Sequence, residues 1–178
     1  MTATLTPSRD APAEPANAPA ALLRFRDRVR ARIGTAELLA FRLGCERFAF
    51  DVRALDEVLD APPIDRIAGG DGRAIMVGLV RHAGTTIALF DAARLLVAGE
   101  ARGAQVLVMR SGARRIALLV DDVDDVTTLD LRAIKPPPFD ATDDLLLGVT
   151  WDHEVLTAIL DARALISTCL QRSPGGVT

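Results

Sequence analysis

The feature that most constrains this chain is that it states one segment twice. Residues 78–96, GLVRHAGTTIALFDAARLL, return without a gap as residues 148–166, GVTWDHEVLTAILDARALI. Gly78, Ala88, Asp91, Ala92 and Leu95 recur as Gly148, Ala158, Asp161, Ala162 and Leu165. The text before each copy repeats as well: residues 37–60 overlay residues 105–128. There Leu39, Arg42, Gly44, Arg47, Ala49, Val52, Asp56 and Val58 recur as Leu107, Arg110, Gly112, Arg115, Ala117, Val120, Asp124 and Val126. Solenoid arrays need several copies at periods of roughly 20–50 residues. Two copies about seventy residues apart predict instead a duplicated small β unit, with two similar halves packed together.

The size of the chain supports shared packing. With 178 residues there is room for one ordinary domain or two very small ones. Each half alone is close to the size at which a single core becomes marginal, so the halves are expected to share a buried interface. A groove between them is then a natural place for a partner. The 49% hydrophobic and 25% charged content suits a globular chain with such a core.

Charge and cysteines exclude several classes. Residues 1–35 carry six arginines against three acids, whereas the rest carries 15 basic against 21 acidic residues. An acidic body without a basic stripe argues against nucleic-acid binding. Cys45 and Cys169 stand far apart in no metal-like spacing, which fits a reducing compartment. The longest apolar run, residues 74–80, is too short to span a bilayer, and no secretory start pattern is present. The expected location is the cytoplasm, without membrane insertion.

Along the chain, residues 1–20 are rich in Pro and Ala and are expected to be disordered. Residues 21–33, ALLRFRDRVRARI, place Leu22, Phe25, Val29 and Ile33 at helical spacing with arginines opposite. They read as a short solvated helix or docking arm; the segment is too short and thin-faced for a membrane-surface helix. From residue 37 the period becomes two. Strands are predicted near residues 39–43, 48–52, 57–59, 75–80 and 85–90, with Pro62 and Pro63 ending the third and the GGDG of residues 69–72 forming a loop. The second half repeats the plan at residues 106–109, 116–120, 126–129, 146–151 and 155–160. Asp91 and Asp161 sit where N-caps belong, before short helices at 92–97 and 162–170. Residues 171–178 form a tail.

Catalytic readings find little to build on. His82 and His153 are the only histidines, and both fall in hairpin turns, where a solvated imidazole is the expectation. No HExxH or CxxC is present, and the GGDG loop lacks the Lys-Ser/Thr and strand–helix context of a phosphate cradle. The acidic run DDVDD at residues 121–125 lacks the glycine and distal glutamate of a calcium loop. It reads as a strand end with Val120, Val123 and Val126 inward and the acids solvated. Trp151, the only tryptophan, belongs either to the core or to the aromatic rim of a contact surface. A scaffold, with no catalytic, cofactor or metal site, is the reading left standing.

Four stretches in register then resemble a known family. Residues 36–60, residues 78–91, RRIALLVDDVDDV and residues 148–166 are together similar to the CheW-like domain, over about residues 36–170. The resemblance implies a mainly β fold of two pseudo-repeated five-stranded SH3-like β-barrels with short helices and a C-terminal helix. The barrels would take residues 36–100 and 101–170. It implies no enzyme activity and no cofactor. The implied partners are the regulatory domain of a CheA-type histidine kinase and the cytoplasmic tip of a methyl-accepting chemoreceptor, coupled in chemotaxis or chemosensory signalling. The family's third-strand glutamate falls on Glu57, followed by Val58. Its asparagine–leucine–arginine–glycine turn falls on Arg81, His82, Ala83 and Gly84, so that only the glycine is kept. Its valine–aspartate turn is kept as Val120 and Asp121, followed by Val123 and Val126. Those ten residues are the expected partner-binding set, and the departures mark a divergent member. Two alternatives stand beside coupling. One is a decoy that binds the kinase but not receptors, for which Ala83 in place of arginine is the supporting feature. The other is a metal binder on the acidic run.

Overall fold

The computed structural model describes residues 20, 22–25, 34–60, 62–67, 74–98, 102–103, 105–137, 145–152 and 154–173. The GGDG loop, His153, most of the arginine-rich segment and the ends of the chain lie outside them. The strands are β1 (Thr35–Leu43), β2 (Glu46–Asp51), β3 (Leu55–Asp60), β4 (Ile64–Arg66), β5 (Met76–His82), β6 (Thr85–Asp91), β7 (Gln105–Ser111), β8 (Arg114–Val120), β9 (Asp122–Asp130), β10 (Leu146–Asp152) and β11 (Val155–Leu160). Helix α1 (Ala92–Leu95) follows β6, and α2 (Ala162–Gln171) follows β11. Both begin as expected: Asp91 accepts from the Arg94 amide, and Asp161 from those of Arg163 and Ala164. The ten expected strands are all present. β4 is an addition, because the prolines before it end one strand and an edge strand restarts beyond them, Ile64 opposite Val80.

The fold is mainly β, in two curled sheets, but the sheets do not divide at residue 100. One has the order β10-β11-β2-β1-β9, the other β3-β7-β8-β6-β5-β4. The first takes the β1–β2 hairpin from one copy of the repeat and three strands from the other; the second takes the β7–β8 hairpin and four strands, β4 being the additional one. Parallel pairing of β11 with β2, and of β6 with β8, forms the equivalent seams. The physical reason is the shortness of the links after the hairpins. The three-residue 3-10 turn Val52–Ala54 carries the chain from β2 into the other sheet, and Asp121 alone does so between β8 and β9.

Three clusters fill the interior. Leu38, Ala40 and Ala49 face the inside of the first sheet's curl, and Val106, Val108 and Ala117 the inside of the second. Their strand neighbours Leu39, Phe41, Leu107 and Met109 point the opposite way, into a cluster shared by both sheets and closed by α2. Period-two alternation thus supplies two cores from one strand, which is why β1 and β7 are apolar almost throughout. The helical residues 22–25 insert Leu22 and Phe25 into the first sheet's interior. Of the stripe expected in a solvated helix or docking arm, Leu22 and Phe25 are thus buried within the chain, while Val29 and Ile33 lie outside the described residues.

Among the described residues no helix is long and apolar enough to cross a membrane.

Candidate functional site

The recurring arginines and acids prove to be structural. Asp124 on β9 is gripped by Arg42 and Arg47 of the β1–β2 hairpin, with Nε–O distances of 3.3 and 2.9 Å. Asp56 on β3 lies in the equivalent ion-pair contacts with Arg110 and Arg115 of the β7–β8 hairpin, the latter at 3.0 Å. Each triad ties the hairpin of one repeat to the third strand of the other and so fastens the exchange of strands. The carboxylates are mostly buried while their arginines keep solvent contact, so each triad acts more through orientation than through a large stabilisation.

Asp121 has a similarly local task. Its carboxylate accepts from the amides of Gly44 and Gly103, each at 2.7 Å, and from that of Arg102. It thereby joins the β1–β2 turn to the segment entering β7. Two of the acids in the DDVDD run are therefore committed to amides and guanidiniums. Among the described residues no three His, Cys, Asp or Glu side chains converge as metal ligands. Val120 is fully buried in the shared cluster, which removes it from the partner-binding set. Val123 packs half-buried against the same cluster. Val126 is not inward: it is 49% exposed on β9.

The other expected residues meet at one rim of the second sheet. Its curl brings β3 to the end of β5, where His82 Nδ1 lies 3.5 Å from Glu57 Oε2. The Glu57 side chain is 54% exposed and that of His82 only 15%, so His82 is not the solvated turn histidine its position suggested. Val58 faces the shared cluster, half-buried. Arg81 is exposed, and Ala83 and Gly84 form the exposed tip with φ of 48° and 76°. Two positive φ values make this a type I′ turn, for which Asn-Gly is the favoured pair.

The matching hairpin of the first sheet carries apolar side chains beside its turn. Trp151 is 63% exposed and pairs across the strands with Leu156, beside Val155, both also exposed. Position for position these match Arg81, Thr86 and Thr85, so three equivalent places of the duplicated hairpin are polar on one sheet and apolar on the other. Trp151 therefore belongs to the surface and not to the core. A cleft of about 260 Å³ runs between the sheets, with Asp51, Arg53 and Leu160 on one side and Arg110, Ser111 and Gly112 on the other. Cys45 is a free thiol on an exposed turn, and burial pushes the Cys169 thiol up to about 12, with Arg172 opposing, which leaves Cys169 without nucleophilic character.

These features describe a binding scaffold made of two exchanged β repeats. Residues 37–169 match the family model described as the CheW-like domain, and the chain belongs to that family. A chemotaxis protein CheW of Rhizobium meliloti (strain 1021) is 31% identical over 113 residues, 62% of this chain and 72% of the relative. A probable chemotaxis protein CheW of Rhizobium etli is 29% identical over 140 residues, 75% of this chain and 89% of the relative. The crystal structure of the scaffolding protein TtCheW from Thermoanaerobacter tengcongensis superposes with a TM-score of 0.62 at 20% identity, covering 71% of this chain and 88% of that one.

Proposed function

We propose that this chain couples the cytoplasmic tip of a methyl-accepting chemoreceptor to the regulatory domain of a CheA-type histidine kinase, acting in the cytoplasm beneath the receptors. The observation that carries this reading is the rim where Glu57, His82 and the 81–84 tip come together on an exposed edge of the second sheet. Family membership supplies the class of partner. An exposed carboxylate beside a protruding turn suits a partner that brings a Lys or Arg side chain, and such rim charges act on encounter and specificity more than on raw affinity. Val126 and the cleft add apolar and polar contact area. Repetition in an array would strengthen contacts that are individually weak.

A titration against the kinase regulatory domain, with and without a receptor-tip fragment, tests the reading. Binding to both is the expected result; binding to neither overturns it. Glu57→Arg is expected to weaken receptor-tip binding by about five- to tenfold with an unchanged melting temperature, as reversal of an exposed charge should. Unchanged affinity would remove Glu57 from the docking rim.

Ala83 favours a second reading, a decoy that binds the kinase domain alone, since a methyl group offers none of the planar donors of a guanidinium. Ala83→Arg separates the two. Both residues carry a Cβ, so the left-handed backbone at 48° is no more strained in the variant. Stronger tip binding by Ala83→Arg supports the placement of this turn in the receptor contact. No change in a folded variant discards that placement.

A further inference from the structure

We propose that the apolar patch around Trp151 receives the arginine-rich stretch of residues 26–33 from a second copy of this chain, joining copies head to tail. The inference stands apart from the coupling reading and concerns the other sheet. Trp151, Val155 and Leu156 are exposed apolar side chains beside the turn of the β10–β11 hairpin. Trp151 and Leu156 are cross-strand partners and so share one face. Their repeat mates Arg81, Thr86 and Thr85 are polar, so the fold itself does not call for apolar residues at these places. The patch is small. Three half-exposed side chains offer about 300 Å², against ~800 Å² per partner where two folded surfaces form a stable interface. It suits a short segment with one or two apolar side chains.

Its rim is acidic. Glu154 precedes Val155 in the turn, and the parallel register that sets Thr157 opposite Arg47 brings Leu156 beside Glu46; both glutamates are exposed. The cations of the adjoining hairpin, Arg42 and Arg47, are held by Asp124. An apolar spot between carboxylates is complementary to an apolar residue between cations. Residues 26–33, RDRVRARI, have that chemistry: Val29 stands between Arg28 and Arg30, with Arg26 and Arg32 beyond them.

These eight residues lie outside the described ones, but both of their ends are placed. Phe25 is buried in the first sheet's interior and lines the cleft with Leu160, and Gly34 leads into β1. Both ends are at the far end of that sheet from Trp151. β11 runs from Val155 beside the turn to Leu160, and β1 runs from Thr35 to Leu43, whose partner is Glu46. The separation is the length of β1, about 25 Å. Eight residues fixed at both ends extend out and back by only about 15 Å. The stretch therefore cannot cover the patch of its own chain and can cover that of another copy. Each copy offers one patch and one stretch, so the contact is heterologous and propagates.

Trp151 is the sole tryptophan, so its emission reports the patch directly. For the full chain, sedimentation velocity is expected to show mass rising with concentration, while tryptophan emission shifts to the blue and acrylamide quenching falls in step. Association should weaken about fivefold on going from low to high salt, since exposed ion pairs are screened. Trp151→Arg with Leu156→Thr, which rewrites the hairpin as its repeat mate, should abolish it. So should Glu46→Arg with Glu154→Arg, and, separately, Arg28→Glu with Arg30→Glu. An equimolar mixture of the last two variants should associate again, because the basic patch of one meets the acidic stretch of the other. Circular dichroism melts verify that each variant is folded. A parent chain that stays monomeric, association that survives the patch substitutions, or a folded mixture that stays monomeric overturns the proposal. Protection of Trp151 by the kinase regulatory domain, in a chain that does not self-associate, overturns it too and assigns the patch to that partner.

Discussion

Phe41→Ala is expected to destabilise the protein by about 3–5 kcal/mol, the usual range for removing a buried aromatic ring from a packed core. Phe41 is fully buried on β1 at the centre of the cluster both sheets share. Its ring lies 5.6 Å from that of Phe48, stacked, and 6.0 Å from that of Phe50, tilted, contacts that add to the area lost. A stability of 5–15 kcal/mol is ordinary for a domain, so this one change removes a large part of it. Urea denaturation checks the expectation, read by circular dichroism because the sole tryptophan, Trp151, already faces solvent and reports unfolding poorly. The exchanged strands add a second expectation. Neither sheet contains a complete repeat, so both should unfold in one transition, with the midpoint shifted and the slope retained. Two separated transitions would show that the shared cluster does not bind the sheets into a single cooperative unit.

The repeat was legible in the sequence, and most strands with it, because period-two apolar patterning and turn glycines are local signals. Asp91 and Asp161 could be read as caps for the same reason: a cap acts within three residues. The exchange of hairpins between sheets could not be read this way. Arg42, Arg47 and Asp124 share a register with Arg110, Arg115 and Asp56, but register alone does not say whether an arginine meets the acid of its own copy or of the other. That choice is made by the short links after β2 and β8, which cannot turn the chain back onto its own hairpin. Position also misled for Val120 and His82. Val120 sits at a strand end, normally a half-open place, yet it is fully buried in the cluster both sheets share. His82 sits at a hairpin turn, yet the curl of its sheet carries β3 to it from 25 residues earlier in the chain, a closure with no local mark. Leu22 and Phe25 were visible as an apolar stripe, but the stripe does not announce whether its partner is another molecule or the mouth of its own barrel.

Gly148→Ala should cost about 2–3 kcal/mol, and Gly78→Ala clearly less, although the two glycines are mates in the repeat. A Cβ on Gly148 would lie 2.4 Å from the Lys135 carbonyl oxygen and 2.9 Å from Ile134 Cγ2. The carbonyl cannot retreat cheaply. It accepts from the Val149 amide at 2.8 Å, while the Lys135 amide donates to the Val149 oxygen at 2.7 Å, and Ile134 beside it is fully buried in the first sheet's interior. Relief of the clash therefore requires loss of this two-bond bridge or withdrawal of Ile134, and forced backbone shifts in a packed site cost about 1–3 kcal/mol before a bond is broken. Around Gly78 the contact is 2.8 Å from the Asp65 oxygen, on the three-residue edge strand β4, whose Asp65 and Arg66 are exposed and whose outer side has no neighbouring strand among the described residues. That strand can move outward by a few tenths of an ångström. The smaller backbone entropy of alanine in the unfolded chain returns about 0.4–1 kcal/mol in both variants, so the difference between them isolates the packing. Parallel urea titrations measure it. Equal losses, or a larger one for Gly78→Ala, would mean that β4 is held as firmly as the Lys135 bridge, and that the duplicated glycines guard equally rigid crossings.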